Sequence, residues 1–192
     1  PKKVVNAWAM YDWANSAYNL VITSTIFPAY FEAIAVDDRA TSKTAVTFLG
    51  RTFENSALYN YTIAVALLIV ACLSPLLSAI ADFKGNKKSF MRFFILMGSM
   101  SCSSLFWFNG DNYLFGLISF VLATIGFAGS LVFYNAYLPE IATPDKFDRL
   151  SARGFTMGYI GSVLLLVLNI LFLKKSQWFG LPEPTATNSL AF

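Results

Sequence analysis

The chain of 192 residues is 56% hydrophobic and only 13% charged, and phenylalanine alone occupies 19 positions. Ordinary globular domains carry about 25% charged residues, so this composition argues against a water-soluble fold. The formal charge of +3 is small, and the basic residues lie between apolar runs rather than along one helical face. Nucleic acid is therefore not an expected partner.

Five long apolar runs follow one another along the chain. Each is close to the roughly 20 residues that an α-helix needs to cross the hydrocarbon core of a bilayer. They predict an all-α integral membrane protein with transmembrane helices over roughly residues 7–35, 55–81, 90–110, 112–139 and 154–173. A sixth helix is expected to begin near residue 188, and we interpret residues 1–192 as a single transmembrane bundle that is a fragment of a longer protein.

The basic residues predict the orientation. Nine of the 14 lysines and arginines lie before the first run or in the loops after the second and fourth runs, and five lie in the other loops. By the positive-inside rule this distribution predicts a cytoplasmic N-terminus. The short loops favour a bacterial inner membrane, with a vacuolar membrane as the alternative.

The first span carries a stripe of polar side chains. At about 100° per residue, one narrow sector of the helix holds Asp12, Asn15, Ser16, Asn19 and Thr23. A charged aspartate within the bilayer costs about 2.5–3.5 kcal/mol on insertion scales, so such residues usually face a bundle interior or a water-filled cavity. We expect the stripe to line a solute cavity. The alternative is that Asp12 only caps the helix or pairs with a loop cation.

Two tyrosines beside the stripe are weaker candidates for solute binding. Tyr11 and Tyr18 lie near the predicted membrane surface, where aromatic side chains commonly anchor helices without touching a substrate. The two cysteines, Cys72 and Cys102, lie inside apolar runs, and the chain has no histidine. Neither a disulfide framework, nor a zinc site, nor any other cofactor is expected.

The loop after the second span reads Asp82-Phe-Lys-Gly-Asn-Lys-Lys88. It resembles the loop between the second and third helices of the major facilitator superfamily, whose usual form is Gly-x-Leu-Ala-Asp-Arg-x-Gly-Arg-Lys. Asp82, Gly85 and Lys87 match this form, whereas the first glycine and both arginines are replaced. An ordinary positive-inside turn would explain the lysines but not the spacing of the aspartate and the glycine.

Two further regions narrow the resemblance. They are Asn-Ala-Trp-Ala-Met-Tyr-Asp-Trp-Ala-Asn-Ser-Ala-Tyr at 6–18 and Phe-Tyr-Asn-Ala-Tyr-Leu-Pro-Glu-Ile-Ala at 133–142, the latter followed by short matches at 151–155 and 158–161. Together they resemble the branch that contains the vacuolar effluxers of autophagy and their bacterial relatives. The resemblance implies the N-terminal six-helix bundle of a twelve-helix transporter, with five complete spans and the start of a sixth. Amino acid efflux is the best-known activity of this branch.

The cytoplasmic ends of the spans carry further candidates. Asn135, in the fourth span, would face the cavity or form an interhelical hydrogen bond. A gating network is expected among residues at the cytoplasmic membrane edge, namely Asp82, Gly85, Lys87, Arg92, Glu140 and Arg153. Its alternative is a set of solvated surface pairs worth about 0–1 kcal/mol each.

The mechanism that follows is alternating access. Spans one to three and four to six would form inverted repeats, and the bundle would rock against a missing C-terminal six-helix bundle around a solute site lined by the stripe. Asp12 would carry the proton if transport is proton-coupled, and uncoupled diffusion is the alternative. The competing classes are a membrane-embedded enzyme acting on lipid, for which no nucleophile motif is visible, and a non-transporting receptor or scaffold. The expected partners are a small solute, protons and the lipid bilayer.

Overall fold

The computed structural model describes residues 2–35, 45–84, 86–109 and 112–179, and within these ranges it describes no side chain for 81–84, 173, 176 and 179. The predicted sixth helix near residue 188 and the loop residue Gly85 lie outside the described residues. Asp82 belongs to a helix, but its side chain is outside the description.

The described part is almost entirely helical. The first helical region contains α1 (Lys2–Ala17), a π-helix (Tyr18–Ile26) and α2 (Phe27–Ile34). It is followed by the strands β1 (Ala45–Phe48) and β2 (Arg51–Glu54) and by the helices α3 (Asn55–Lys84), α4 (Lys87–Ser104), α5 (Tyr113–Ala136), α6 (Leu138–Ile141) and α7 (Phe147–Lys174). Three-residue or four-residue 3₁₀ turns lie at Leu105–Trp107, Pro144–Lys146 and Ser176–Phe179.

Four helical stretches of the described residues are long and apolar enough to cross a membrane, judged by length and composition. They are Asn55–Ile80, Lys87–Trp107, Tyr113–Ile141 and Pro144–Phe172. The first helical region is continuous from Lys2 to Ile34, but its longest α-helical piece has 16 residues because the π-helix divides it. The all-α integral membrane class expected from the sequence is confirmed.

Proline explains where α5 ends. The helix stops at Ala136, and Pro139 occupies the start of α6 after the turn residue Tyr137. A proline inside α5 would lack an N–H donor and would clash with the carbonyl group four residues earlier, so the helix ends before it. The fifth predicted span lies inside α7, which begins at Phe147 and therefore includes charged residues ahead of the membrane segment.

The loop between the first two spans contains a β-hairpin. Strands β1 and β2 pair antiparallel, with Ala45 opposite Glu54 and Phe48 opposite Arg51. The two turn residues, Leu49 and Gly50, have positive φ angles of 49° and 76°. A two-residue turn with both φ angles positive matches the right-handed twist of the strands, which explains the tight hairpin.

The helices pack in pairs. Helix α1 lies along α7, α3 lies along α5, and α4 also lies along α5. Helices α4 and α5 cross closely at two glycines, because a Cβ atom on Gly98 would lie 3.3 Å from Gly126 Cα. Small residues at a crossing of this kind let two membrane helices approach each other.

Apolar side chains cover the outer surface of the bundle. Examples with more than half of their surface exposed are Leu68 on α3, Met100 on α4 and Leu164 on α7. At the hairpin end, an aromatic cluster fills the interior, with the rings of Phe27 and Phe120 stacked at 4.3 Å between centroids. Apolar surfaces outside and aromatic packing inside suit a bundle that is surrounded by lipid.

Candidate functional site

Asp12 is buried where α1 packs against α7. Its side chain is only 5% exposed, and the Ser16 hydroxyl donates a hydrogen bond to Asp12 Oδ1 at 3.5 Å. The second carboxylate oxygen faces two glycines of α7, because a Cβ atom on either Gly154 or Gly158 would lie 3.3 Å from Asp12 Oδ2. The absence of side chains at these two positions is what lets α7 cover the carboxylate.

Asp12 has no cationic partner among the described side chains. The ion pair among the described side chains joins Lys87 and Glu140, away from Asp12 at the end of the bundle. A buried carboxylate is costly unless a proton, a cation or hydrogen bonds compensate for the lost water. Asp12 therefore has unused capacity to accept hydrogen bonds or to bind a positive charge.

Aromatic rings surround the carboxylate. The Trp8 and Tyr134 rings stack with centroids 4.3 Å apart and 12° between their planes, and the Tyr11 ring lies 5.1 Å from that of Tyr134. Trp8 Nε1 donates to the Tyr134 backbone carbonyl at 3.2 Å, which fixes the indole. The Tyr134 hydroxyl is buried and has no hydrogen-bond partner among the described residues, although a Cβ atom on Gly154 would lie 3.0 Å from it.

Asp12 opens onto a cavity of about 340 Å³ between α1, α5 and α7. Besides Asp12, its polar lining consists of Ser16, Asn19 and Ser24 from the first helical region, Tyr134 and Asn135 from α5, and Ser151, Tyr159 and Ser162 from α7. The described lining contains no lysine or arginine. This cavity, called the Asp12 cavity below, is polar, negatively charged when Asp12 is ionised, and within the size range of small-molecule sites.

The predicted polar stripe divides between two cavities. Asp12, Ser16 and Asn19 line the Asp12 cavity, whereas Asn15 lines a second cavity of about 390 Å³ between α1, α4 and α5. Thr23 belongs to the lining of neither. The helix thus forms a wall between two spaces, with the members of the stripe on both sides of it.

The π-helix changes the direction of the side chains beyond Ala17. The Ser24 hydroxyl donates to the Asn19 carbonyl at 3.0 Å and the Thr25 hydroxyl donates to the Leu20 carbonyl at 2.8 Å, both five residues earlier. In the α-helix α3, by contrast, the Thr62 hydroxyl reaches the carbonyl four residues earlier. A wider turn rotates each residue by less than 100°, so an α-helical projection misplaces Thr23.

Tyr11 and Tyr18 connect α1 and the π-helix to α5. The Tyr11 hydroxyl donates to Ser130 Oγ at 2.7 Å, and the Tyr18 hydroxyl lies 3.0 Å from Thr124 Oγ1. Both tyrosines line the second cavity rather than the Asp12 cavity. Their hydroxyl groups are engaged within the bundle, which favours a structural role for them.

Part of the predicted gating network is in contact at the end of the bundle where α4 begins and α5 ends. Lys87 Nζ lies 2.6 Å from Glu140 Oε1 and donates to the Ala136 carbonyl at 3.1 Å, so the start of α4 is attached to the end of α5 and to α6. Arg92 and Arg153 make no ion pair with the described side chains. Arg153 and Glu140 line the same cavity of about 970 Å³ near the start of α1.

Several residues of the Asp12 cavity were not predicted as site residues. Trp8 and Tyr134 belong to the matching regions 6–18 and 133–142 but were not among the predicted site residues. On α7, the residues Ser151, Tyr159 and Ser162 share one helical face, because they are eight and three residues apart. This helical periodicity is visible in the sequence.

A bundle of apolar helices with a polar cavity around a buried carboxylate is typical of a multi-pass membrane protein. The chain belongs to the family of vacuole effluxer Atg22 like proteins, whose family model matches residues 1–190. This confirms the resemblance to the effluxer branch of the major facilitator superfamily.

Relatives in bacteria and fungi agree. The chain is 35% identical over 191 residues to an uncharacterized MFS-type transporter, YxiO, of Bacillus subtilis (strain 168). The aligned region covers 99% of this chain and 42% of the relative. It is 26% identical over 182 residues to an uncharacterized protein of Aquifex aeolicus (strain VF5), covering 94% and 42%. It is 23% identical over 176 residues to autophagy-related protein 22 of Coccidioides immitis (strain RS), covering 75% and 29%.

The chain therefore spans less than half the length of the curated relatives that it matches. No solved structure matched the chain. The names of the family and of its members indicate a transporter rather than an enzyme.

Proposed function

We propose that the chain forms the N-terminal bundle of a secondary transporter that moves a small organic solute by alternating access. The observation that carries the proposal is Asp12, which is buried without a cationic partner among the described residues and opens onto the polar Asp12 cavity. Ionisable residues inside membrane bundles usually belong to a substrate or ion pathway.

Helix packing supports an arrangement of inverted repeats. If spans one to three are equivalent to spans four to six, the first span corresponds to the fourth and the second to the fifth. A contact between the first and fifth spans then requires an equivalent contact between the fourth and second spans. Both contacts exist, as α1 with α7 and as α5 with α3. In transporters built this way, the solute site lies near the middle of the membrane between two bundles, and the bundles rock around it. The second bundle would be the C-terminal half of the full-length protein.

Amino acids are the solutes that we would test first, and export is the proposed direction. The support is the printed description of the family as vacuole effluxers. Asp12 would carry the coupling proton, because it is the buried carboxylate of the described part of the chain. Uncoupled diffusion is the alternative.

A bacterial inner membrane with a cytoplasmic N-terminus is the proposed location. Both bacterial relatives align with more than nine-tenths of the chain, compared with three-quarters for the fungal relative. The cytoplasmic end would then carry the gate, in which the Lys87–Glu140 pair breaks and re-forms. Asp82, Arg92 and Arg153 would provide alternative partners during the transition.

The test is transport by the full-length protein in liposomes. A pooled set of labelled amino acids is offered with and without a pH gradient to the wild type and to the variants Asp12→Asn and Asp148→Asn. Asp148 is the matched control, because it is an exposed carboxylate at the start of α7 and lines none of the three cavities. We expect flux in the wild type and in Asp148→Asn, and a loss of at least about tenfold in Asp12→Asn.

The other outcomes separate the alternatives. Dependence on the gradient supports proton coupling, and its absence supports facilitated diffusion. If no amino acid moves in a verified, folded sample, the amino acid proposal fails. If partner binding persists in Asp12→Asn and no tested solute moves, the protein is a receptor or scaffold rather than a transporter.

A further inference from the structure

We propose that the Asp12 cavity binds the ammonium group of an organic amine, and that the described lining of this cavity provides no cationic partner for a carboxylate. The inference rests on the proposed function, because it names the part of the solute that this half of the protein recognises. It is carried by the charges of the cavity, by the arrangement of oxygen acceptors and by the aromatic rings beside them.

The charge of the lining favours a cation. Asp12 is the one ionisable carboxylate of the Asp12 cavity, and its described lining contains no lysine, arginine or histidine. Lys3 and Arg153, which lie within a few residues of the lining residues Trp8 and Ser151 in the sequence, are exposed and do not belong to the lining. A negative group entering the cavity would meet a like charge and no compensating cation in the described lining, whereas a positive group would find a desolvated partner.

The oxygen atoms suit a group with several N–H donors. Within the described part of the chain, Asp12 Oδ2 makes no hydrogen bond, while Asp12 Oδ1 accepts only the weak 3.5 Å bond from Ser16. The buried Tyr134 hydroxyl, also without a described partner, borders the same space, because one Cβ position on Gly154 would lie 3.0 Å from that hydroxyl and 3.3 Å from Asp12 Oδ2. A primary ammonium group can donate to a carboxylate and a hydroxyl at once.

Aromatic rings strengthen the preference for a cation. Tyr159 lines the cavity from α7 with 72% of its surface exposed, and the stacked pair of Trp8 and Tyr134 lines it beside Asp12. The stacked faces of that pair cover each other, so the ring of Tyr159 offers the accessible face. The electron-rich faces of aromatic rings attract ammonium groups within about 6 Å, and the attraction increases when water is excluded. A carboxylate combined with an aromatic face is a common way to recognise an amine, whereas the same face repels an anion.

The substrate class follows from these three features. Amines fit this half of the protein, including amino acids held through their amino group. The carboxylate of an amino acid would have to be bound by residues outside the described lining of the Asp12 cavity. Organic acids that lack an amino group would not be recognised here.

Binding of matched compounds to the full-length protein in detergent provides the test. Leucine, 3-methylbutylamine and 4-methylpentanoate share an aliphatic side chain but present both charged groups, the amine alone and the acid alone. Binding is followed by tryptophan fluorescence, to which Trp8 contributes as one of the four tryptophans of this chain, and by the thermal unfolding midpoint. We expect saturable binding of leucine and of the amine but not of the acid.

Variants identify the site. Asp12→Asn should weaken amine binding by about tenfold to a hundredfold, as expected for loss of a charged hydrogen-bond partner. Tyr134→Phe keeps the ring stack, removes the hydroxyl and should weaken binding by about threefold to tenfold. Asp148→Asn should bind as the wild type does. Because Tyr134→Phe changes only one atom, it keeps the test valid if Asp12→Asn does not fold.

Three results would overturn the proposal: the acid binds as well as the amine, amine binding is the same in both cavity variants and the wild type, or no amine binds at millimolar concentration. Failure of the amine-site proposal can be distinguished from failure of the transport proposal. Amine binding that depends on Asp12, without flux of any solute, would support the site and reject transport. Flux that shows no preference for amines would support transport and reject the amine site.

Discussion

At Asp12, two glycines of α7 occupy positions where larger side chains would press on the carboxylate and its hydrogen-bond partner. A Cβ atom on Gly158 would lie 2.6 Å from Ser16 Oγ, closer than real carbon contacts allow, and 3.3 Å from Asp12 Oδ2. The small-residue spacing of α7 is therefore part of the site as well as part of the packing. A substitution here acts on Asp12 without altering any charge.

Gly158→Ala is predicted to impair transport more than folding. The added methyl group must either displace the Ser16 side chain, which breaks its hydrogen bond to Asp12, or move α7 away from α1. We expect Asp12-dependent flux in liposomes to fall about tenfold, which corresponds to about 1.4 kcal/mol. Leu164→Ala, on the exposed face of the same helix, is the control and should retain flux. Unchanged flux in Gly158→Ala would show that the close approach of α7 does not position Asp12.

Among the secondary-structure elements, α4 and α6 are joined by the pair of Lys87 and Glu140. The pair is short, at 2.6 Å, but Glu140 is half exposed, so its contribution to the free energy of unfolding is expected to be within about 1 kcal/mol. Lys87 also donates to the Ala136 carbonyl at the end of α5. A connection that is specific in geometry but weak in energy is suited to a contact that breaks during each transport cycle.

A charge exchange tests this role. Glu140→Lys places two cations together and should reduce flux severalfold, with a change of the unfolding midpoint of only a few degrees. The double variant Lys87→Glu with Glu140→Lys should recover part of the flux, because the ion pair returns but the bond to Ala136 does not. The interaction energy is obtained from the double-mutant cycle of transport rates. The cycle also needs the single variant Lys87→Glu. If flux in the double variant is no higher than in the less active of the two single variants, the pair has no role in gating.

The sequence was sufficient to predict the class of fold, because an apolar run of about 20 residues has few stable conformations other than a membrane helix. It was not sufficient to predict the π-helix of Tyr18–Ile26. The hydroxyl groups of Ser24 and Thr25 stabilise it through bonds five residues back, but serine and threonine make similar bonds in α-helices. The hairpin was missed as well, because its Leu49-Gly50 turn contains only one residue that favours positive φ.

The same limit applies to the site. Asp12 could be predicted as a buried residue because a carboxylate within an apolar run avoids lipid by turning toward the interior of the bundle. Its partners on other helices could not be predicted, since Tyr134 and Gly158 meet Asp12 only through the packing of α1 against α5 and α7. Helical periodicity predicts the face of one helix, but it does not specify which other helix that face contacts.

For the whole molecule, the proposed function requires a surface with two different environments. Tyr159 and Leu164 both lie on α7 and are 72% and 53% exposed, so exposure in the isolated bundle does not distinguish them. Tyr159, however, lines the Asp12 cavity and Leu164 does not. If the bundle is half of a transporter, Tyr159 faces an aqueous path between two bundles, whereas Leu164 faces lipid.

Cysteine labelling of the full-length protein in membrane vesicles distinguishes these environments. The native cysteines, which include Cys72 and Cys102 of this chain, are first replaced by serine or alanine, and flux is checked. A membrane-impermeant maleimide should then label Tyr159→Cys from at least one side of the membrane, and a transported solute should change the labelling rate. Leu164→Cys should stay unlabelled, because a thiol in lipid is neither ionised nor reached by the reagent. Equal labelling of the two positions would mean that α7 does not separate water from lipid, and alternating access around the Asp12 cavity would then have no route.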